Sequence, residues 1–281
     1  MKRLSTWILG ALFMTAVAGH GARAEEDGKS VHIEVAFMSV PKGGDQAYLD
    51  VERIWRKFQI ARREAGVVKD WMVFRVERVH GPSTDYQYAV LNFYDSWAQL
   101  NAPRTGEIWS RFFDKLTAAE QQQVMQTDKV RDMLRVNLWS LEATALPWQW
   151  SEDQVKTGFT GNVGFMKSKA FGHLDLEKTV YQKLWAKAAA EGYVRDWHCW
   201  RQRYPRGKQA PYDLIAAVIQ PEKKDRKPFP EGWWKEAVTE LFPKRAEKLM
   251  AETTAARDIP IRERWVPLMS TWLPSFAPQS E

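Results

Sequence analysis

The sequence predicts an α+β fold in which one β-α-β-β-α-β unit occurs twice, and two observations support this. The first is an internal repeat with a constant spacing of 126 residues, which is typical of a duplicated architectural unit. The matched residues are Asp70-Trp71 with Asp196-Trp197, Tyr86 with Tyr212, Arg131-Asp132 with Arg257-Asp258, and Trp139 with Trp265. The second is that strand-like and helix-like patterns follow in the same order in both halves. The same order implies the same topology in each half.

The first half opens with a strand over residues 31–40, which are β-branched and apolar, and the turn Pro41-Lys42-Gly43-Gly44 ends it. Asp45 is expected to cap a helix whose apolar residues recur from Tyr48 to Phe58, and Gly66 is expected to end that helix. The remaining elements are strands over 71–79 and 86–94, helices over 107–116 and 118–130, and a strand over 133–141.

The second half repeats this order with one local departure. Strands are predicted over 161–168, 197–204, 212–219 and 261–268, and helical regions over 175–191, which Gly192 ends, and over 232–250. The repeat spacing places Lys178 where Glu52 stands in the first half, although Glu177 is adjacent. Tyr181 likewise takes the place of Trp55.

The N-terminal segment is predicted to be a secretory signal peptide. Met1-Lys2-Arg3 precedes an apolar run over 4–19, and the small-residue site Ala22-Arg23-Ala24 precedes three acidic residues. We expect cleavage after Ala24 and a periplasmic or secreted protein, with an uncleaved anchor as the alternative. The run is shorter than the roughly 20 residues of a membrane span, so no stable membrane insertion is expected after cleavage.

The predicted organisation is therefore a signal peptide (1–24), a first repeat (25–145), a linker (146–158), a second repeat (159–270) and a tail (271–281). Removing the signal peptide lowers the formal net charge from +6 to +3, so the surface carries both signs and nucleic acid is not an expected partner. Cys199 is the single cysteine, so no intramolecular disulfide can form and the core must hold the fold.

The β-α-β-β-α-β order is that of the ferredoxin-like unit, whose helices cover one face of a sheet and leave the other face open. Two linked copies can bury these open faces against each other as an intramolecular pseudo-dimer. The chain thus resembles the dimeric α+β barrel superfamily, which includes antibiotic-biosynthesis-monooxygenase-like proteins, haem-degrading monooxygenases and the chlorite dismutase group.

A closer resemblance is to a tandem-repeat group of secreted bacterial proteins with a shared residue pattern. The pattern is represented here by Glu52, Trp55, Ala65-Gly66, Trp71, Tyr86-Gln87-Tyr88, Arg131-Asp132 and Trp139. This resemblance implies a fold and transfers no activity.

Residues present in both halves are expected to serve the core or the interface, whereas those present once are better candidates for function. His198 and His80 are the catalytic candidates, because histidine exchanges protons near neutral pH. Strand alternation places His198 and Trp200 on one face of the sheet and Trp197 and Cys199 on the other. A satisfied core histidine is the structural alternative for His198. The candidate ligand-binding residues are Tyr86, Tyr88, Trp200, Tyr212 and Trp55.

Three functions remain open. The first is binding or processing of a small, mostly apolar or aromatic molecule in a cavity, which the 15 tryptophans favour and which calls for about 300 Å³ in an ordinary ligand pocket. The second is a monooxygenase-like or lyase-like enzyme that uses a histidine, either without cofactor or with haem. The third is a module that docks another exported protein. The histidines lack metal-ligand spacing, so no metal is expected, and the cofactor, the ligand and a possible homo-oligomer are left undetermined.

Overall fold

The computed structural model of the chain describes residues 30–82, 85–102, 105–170, 172–205 and 210–275. The predicted signal peptide and residues 276–281 of the predicted tail lie outside these ranges. The strands are β1 (His32–Ser39), β2 (Asp70–His80), β3 (Tyr88–Tyr94), β4 (Asp132–Thr144), β5 (Thr160–Ser168), β6 (Asp196–Tyr204), β7 (Leu214–Gln220) and β8 (Arg257–Ser270).

The α-helices lie between these strands. In the first half they are α1 (Asp45–Glu64), α2 (Trp97–Leu100), α3 (Thr105–Phe113), α4 (Ala118–Met125) and α5 (Thr127–Val130). After β4 come α6 (Glu152–Lys156), α7 (His173–Leu176), α8 (Gln182–Ala190), α9 (Trp233–Leu241) and α10 (Ala246–Ala256). A π-helical turn, Glu177–Tyr181, joins α7 to α8, and a 3₁₀ turn covers Lys223–Asp225.

The strands form one closed barrel in the order β1-β3-β2-β8-β5-β7-β6-β4. Every neighbouring pair is antiparallel, so β1, β2, β5 and β6 all begin at the same end. We call it the linker end, because the chain between β4 and β5 crosses there, and we call the opposite end the far end. Closure pairs both edges of each of these eight strands, and an unpaired edge would otherwise be open to association.

Strand alternation sends one set of side chains into the barrel and the other toward the helices. Both halves contribute to the interior, where Phe37, Trp139, Phe165, Trp200 and Trp265 pack together. Trp71 lies on the outer face beneath α1, and Trp197 lies on the outer face near α8. All four repeated tryptophans are buried, as expected for residues that serve the core.

Within each half the strand order is the same, β4-β1-β3-β2 in the first and β8-β5-β7-β6 in the second. The halves meet at the β2–β8 and β4–β6 pairs. An ion pair of common form holds the start of the last strand against the first helical region in each half. Arg131 Nε lies 3.1 Å from Glu52 Oε1, and Arg257 pairs with Glu177.

The π-helical turn accounts for the displaced acid of the second half. A π-helix closes hydrogen bonds over five residues and accommodates one extra residue relative to an α-helix. The extra residue lets Glu177, one position before the place that the repeat spacing indicates, pair with Arg257 while Tyr181 stacks under the same guanidinium at 4.2 Å.

Some element boundaries differ from the sequence predictions. Asp45 does not cap α1, whose N-cap is Gly44; its carboxylate instead accepts a hydrogen bond from the Tyr88 hydroxyl. The predicted helix over 118–130 is divided into α4 and α5, and the helical region over 232–250 is divided into α9 and α10. Gly66 and Gly192 have positive φ angles of 70° and 78° where the first helical region of each half ends, as predicted.

Candidate functional site at the linker end of the barrel

Two adjoining cavities lie at the linker end of the barrel. The inner cavity has a volume of about 60 Å³ and is enclosed by apolar side chains of the barrel interior, among them Phe74, Trp200 and Trp265. The outer cavity, of about 210 Å³, lies between the linker and the start of β6. The residues that line both cavities are Trp150, Phe159, His198 and Ile219. His198 therefore stands at the boundary between an apolar inner cavity and a more polar outer one.

The imidazole of His198 is held by a carboxylate from its own strand. The Nε2 atom lies 3.0 Å from Asp196 Oδ2, and the ring is buried, with 7% of the residue exposed. A carboxylate accepts hydrogen bonds, so Nε2 carries the proton and Nδ1 is the nitrogen left to accept one. Asp196 is itself fixed, because its Oδ1 accepts from the backbone amides of Trp197 at 2.7 Å and Leu146 at 3.1 Å.

Two tryptophans of the linker cover this end of the barrel. Trp148 meets the His198 ring edge-on at 5.0 Å between ring centroids and Trp200 at 5.6 Å. Trp150 stacks on Phe93 at 4.5 Å and donates from its indole nitrogen to Asp70 Oδ2 at 2.9 Å. The linker is thereby held across the barrel opening, with Trp150 lining both cavities and Trp148 packed against His198.

The far end of the barrel interior is polar. Glu263 is buried and accepts hydrogen bonds from the Tyr86 hydroxyl at 2.5 Å and from the Trp265 indole at 2.7 Å. Arg78 lies 3.0 Å from the same carboxylate. Arg135 lies over the Tyr86 ring at 5.0 Å. Burial raises the pKa of Glu263 and the pKa of Tyr86, so the phenol stays a neutral donor.

The structure brings some of the predicted site residues together and separates others. Trp200 and His198 share the barrel interior, as strand alternation predicts, and line the inner cavity. His80 is exposed at the end of β2, which is the far end of the barrel. It therefore cannot act together with His198.

The other candidate ligand-binding residues do not line these cavities. Tyr86 and Tyr212 precede β3 and β7 and point into the barrel near its far end, around Arg135. Tyr88 is the first residue of β3 and faces outward, where it packs on Tyr48 of α1. Trp55 stacks on Trp109 of α3 and donates to Thr127, because its face of α1 meets other helices.

Sequence reasoning missed several residues of the site. Asp196 is one of them: it belongs to the repeat, and its position two residues before His198 on one strand places both side chains on the same face. Trp148 and Trp150 are two more, and the sequence predicts for them only a place in the linker. Arg195 and Glu263 differ from their counterparts in the first half, Lys69 and Asn137. A comparison of the two halves could therefore have identified both residues as candidates.

The size of the cavities limits what can bind. Neither cavity reaches the roughly 300 Å³ of an ordinary ligand pocket that we expected, whereas a cavity of about 150 Å³ accepts a benzene ring. Haem does not fit beside His198, because neither cavity has room for a porphyrin and Asp196 occupies Nε2. A ligand about the size of one ring fits the outer cavity.

Among the residues that the structure describes, no three His, Cys, Asp or Glu side chains cluster as metal ligands would. No helix among the described residues is long and apolar enough to cross a membrane.

No protein-family model and no curated protein matches the chain. Among solved structures, a monooxygenase candidate from Fusobacterium nucleatum has a TM-score of 0.46 at 7% identity, with 87% of this chain and 95% of that chain covered. An anthrone oxidase-like protein has a TM-score of 0.43 at 12% identity, covering 87% and 93%. A haem-binding protein from Thermus thermophilus has a TM-score of 0.43 at 9% identity, covering 85% and 92%. Because these TM-scores lie below 0.5, the function has to be argued from the geometry of the site.

Proposed function

We propose that the protein is an enzyme that binds a small molecule, about the size of one ring, at the linker end of its barrel and moves a proton on it with His198. The observation that carries this proposal is that His198 lines both cavities while Asp196 holds its Nε2 atom at 3.0 Å. A base whose orientation is fixed by a carboxylate, next to an apolar cavity, is the arrangement that general acid–base catalysis requires.

In this proposal Nδ1 of His198 accepts a proton from an O–H or activated C–H bond of the ligand, and the bonding electrons stay on the ligand. The imidazolium that forms is stabilised by Asp196, whose two oxygens are already oriented by hydrogen bonds. Return of the proton to another atom of the ligand completes an isomerisation, which needs no oxidant. Trp148 and Trp150 limit access of water to the reacting group.

The first experiment is an absorption spectrum and a native mass spectrum of the protein purified from its own host. We expect no Soret band and the mass of one or more mature chains, with or without a small adduct. A Soret band that is lost in His198→Ala would overturn the cofactor-free mechanism and favour haem.

The second experiment tests the cavity with single-ring probes. Acetophenone, phenol and benzoate are titrated against the chain while tryptophan fluorescence is followed. We expect saturable quenching by at least one probe, and at least tenfold weaker binding in Ile219→Trp, which fills the outer cavity. Val79→Trp, at an exposed position of the far end, is the control. Quenching by no probe, or equal quenching in Ile219→Trp, would overturn the site.

The third experiment tests the base. Acetophenone has weakly acidic methyl protons, and deuterium entering them from D₂O reports proton removal. Substitution His198→Met introduces the residue found at the equivalent position of the first half, Met72. We expect exchange to be at least tenfold slower in this variant, in line with the roughly 10²-fold or greater contribution of a positioned base. Equal rates in both proteins would remove His198 from the mechanism.

We also propose that the chain is a tandem member of the dimeric α+β barrel superfamily, with its two ferredoxin-like repeats packed as an intramolecular pseudo-dimer. Two observations support this: the identical strand order of the halves, and reciprocal hydrogen bonds in which Tyr86 bonds to Glu263 and Tyr212 bonds to Asn137. We further propose that residues 1–24 direct export and are removed, so N-terminal sequencing of the mature protein should begin at Glu25.

A further inference from the structure

One cation lines the outer cavity. Arg195 immediately precedes β6 and borders the outer cavity together with Asp196 and His198. Its guanidinium is half-buried and donates to two backbone carbonyls, from Nη1 to Gly158 O at 2.6 Å and from Nη2 to Gln154 O at 3.0 Å. It also lies over the Phe159 ring at 6.0 Å. Arg195 is therefore fixed in place by neutral groups.

The nearby carboxylate does not neutralise this cation through a direct contact. Asp196 is the acidic residue that lines the outer cavity, and its two oxygens bind His198, Trp197 and Leu146. Burial lowers the pKa of Arg195, and the charge of Asp196 only partly opposes that effect. A guanidinium has five N–H donors, more than the two that bond these backbone carbonyls.

The residue of the first half that corresponds to Arg195 has a different environment. The counterpart of Arg195 is Lys69, whose half-exposed ammonium lies 3.2 Å from Asp95 Oδ2. The counterpart of His198 is Met72. The second half alone therefore combines a half-buried cation, held by backbone groups, with the histidine at the cavity boundary.

We infer that the ligand of the outer cavity is a single ring carrying one carboxylate, and that Arg195 is the residue that recognises this carboxylate. The inference rests on the proposed function and names its substrate class. An anionic ligand beside Arg195 would form an ion pair with the guanidinium, which Asp196 does not contact directly. Carboxylates fit this role because their two oxygens match the planar arrangement of the arginine N–H donors. The ring would lie against Trp150, Phe159 and Ile219, which form the apolar part of the wall.

The test compares benzoate with benzamide, which has the same size and no charge. Binding is measured by calorimetry with the full mature chain at low salt. We expect wild type to bind benzoate at least tenfold more tightly than benzamide. We expect Arg195→Gln to abolish this preference and Arg195→Lys, which keeps the charge, to retain part of it. Lys69→Gln is the matched control and should bind like wild type.

The outcomes separate the inference from the function on which it rests. Equal affinities of wild type for benzoate and benzamide would overturn the carboxylate inference and leave the cavity as a binding site. Failure of both compounds to bind would overturn the inference together with the proposed site. Because the comparison of the two ligands is made in wild type, it does not depend on the folding of Arg195→Gln. A preference that persists in a folded Arg195→Gln would remove Arg195 from recognition.

Discussion

The indole nitrogen of Trp150 donates to Asp70 Oδ2 at 2.9 Å and so connects the linker to the start of β2 in the first half. The Asp70 carboxylate is fully buried and also accepts from the hydroxyl and the backbone amide of Thr271. Asp196, its counterpart in the second half, holds His198 instead. The two equivalent carboxylates thus have different roles: Asp70 binds the linker that covers the end of the barrel, and Asp196 orients the candidate base His198.

The first prediction concerns the titration of Asp70. Burial raises the pKa of this carboxyl to about 6, against an ordinary value of about 3.9. Between these values the native chain binds more protons than the unfolded chain, so the contribution of Asp70 to stability is present below about pH 4 and is lost as pH rises to about 6. In wild type this titration should lower the free energy of unfolding by about 3 kcal/mol between about pH 4 and pH 6. We expect this decline to be absent in Asp70→Asn, which keeps an acceptor for Trp150.

Urea unfolding of wild type and Asp70→Asn at pH 4, 5, 6 and 7 checks this prediction through the difference between the two proteins. His32 and His173 act in the opposite direction. Burial lowers the pKa of each to about 4 in the native chain, whereas each takes up a proton below about pH 6.5 in the unfolded chain. Their contribution to the free energy of unfolding therefore falls as pH is lowered from about 6.5 to about 4. They are present in both proteins and cancel in the difference. Parallel pH profiles would contradict the prediction.

The second prediction concerns the two ion pairs between the first helical region and the last strand of each half. Removing one partner of a buried ion pair leaves the other charge buried without compensation and lowers the free energy of unfolding by roughly 3–5 kcal/mol. Glu52 and Glu177 are both buried, so Glu52→Gln and Glu177→Gln should lower the free energy of unfolding by similar amounts of that order. Glu107→Gln, in a largely exposed pair with Arg111, is the control and should change stability little.

Equilibrium unfolding in urea measures all three variants. A large loss in Glu52→Gln with none in Glu177→Gln would show that the π-helical turn does not make the second pair equivalent to the first.

The third prediction compares two equivalent tyrosines inside the barrel. Tyr86 donates to the buried carboxylate of Glu263, whereas Tyr212 bonds to the neutral side chain of Asn137. A hydrogen bond to a charged group contributes about 1.5–3 kcal/mol and a neutral one about 1 kcal/mol. Tyr86→Phe should therefore lower the free energy of unfolding more than Tyr212→Phe does, and equal losses would argue against a charged Glu263.

Sequence patterns located the strands well, because each barrel strand has one face in the interior and one beneath helices or at the surface. That environment produces the period-two alternation that placed His198 with Trp200 and Trp197 with Cys199. The helical regions were predicted less well, since the division between α4 and α5 and the π-helical turn depend on contacts with other elements. The role of Glu177 follows from such a contact with Arg257.

The candidate site could be predicted only in part. His198 was selectable because it occurs in one half and not in the other. The linker tryptophans were not, because their roles depend on where the chain crosses the barrel end, and the hydrogen-bond partner of Trp150 lies 80 residues away in sequence. Tyr88 is a candidate because it stands near the start of a predicted strand, from which it could reach a cleft. The helices that cover Tyr88 and Trp55 place both residues outside the cavities.

The sequence by itself determined the order of strands and helical regions and the correspondence between the halves, because periodicity and repeat spacing are local properties of the chain. Only the tertiary structure decided that the strands close into one barrel and that the linker covers one end of it. It also decided that His198 meets a cavity there while His80 does not. These outcomes depend on which side chains fill the shared interior and how much space they leave, and packing between distant segments sets that space.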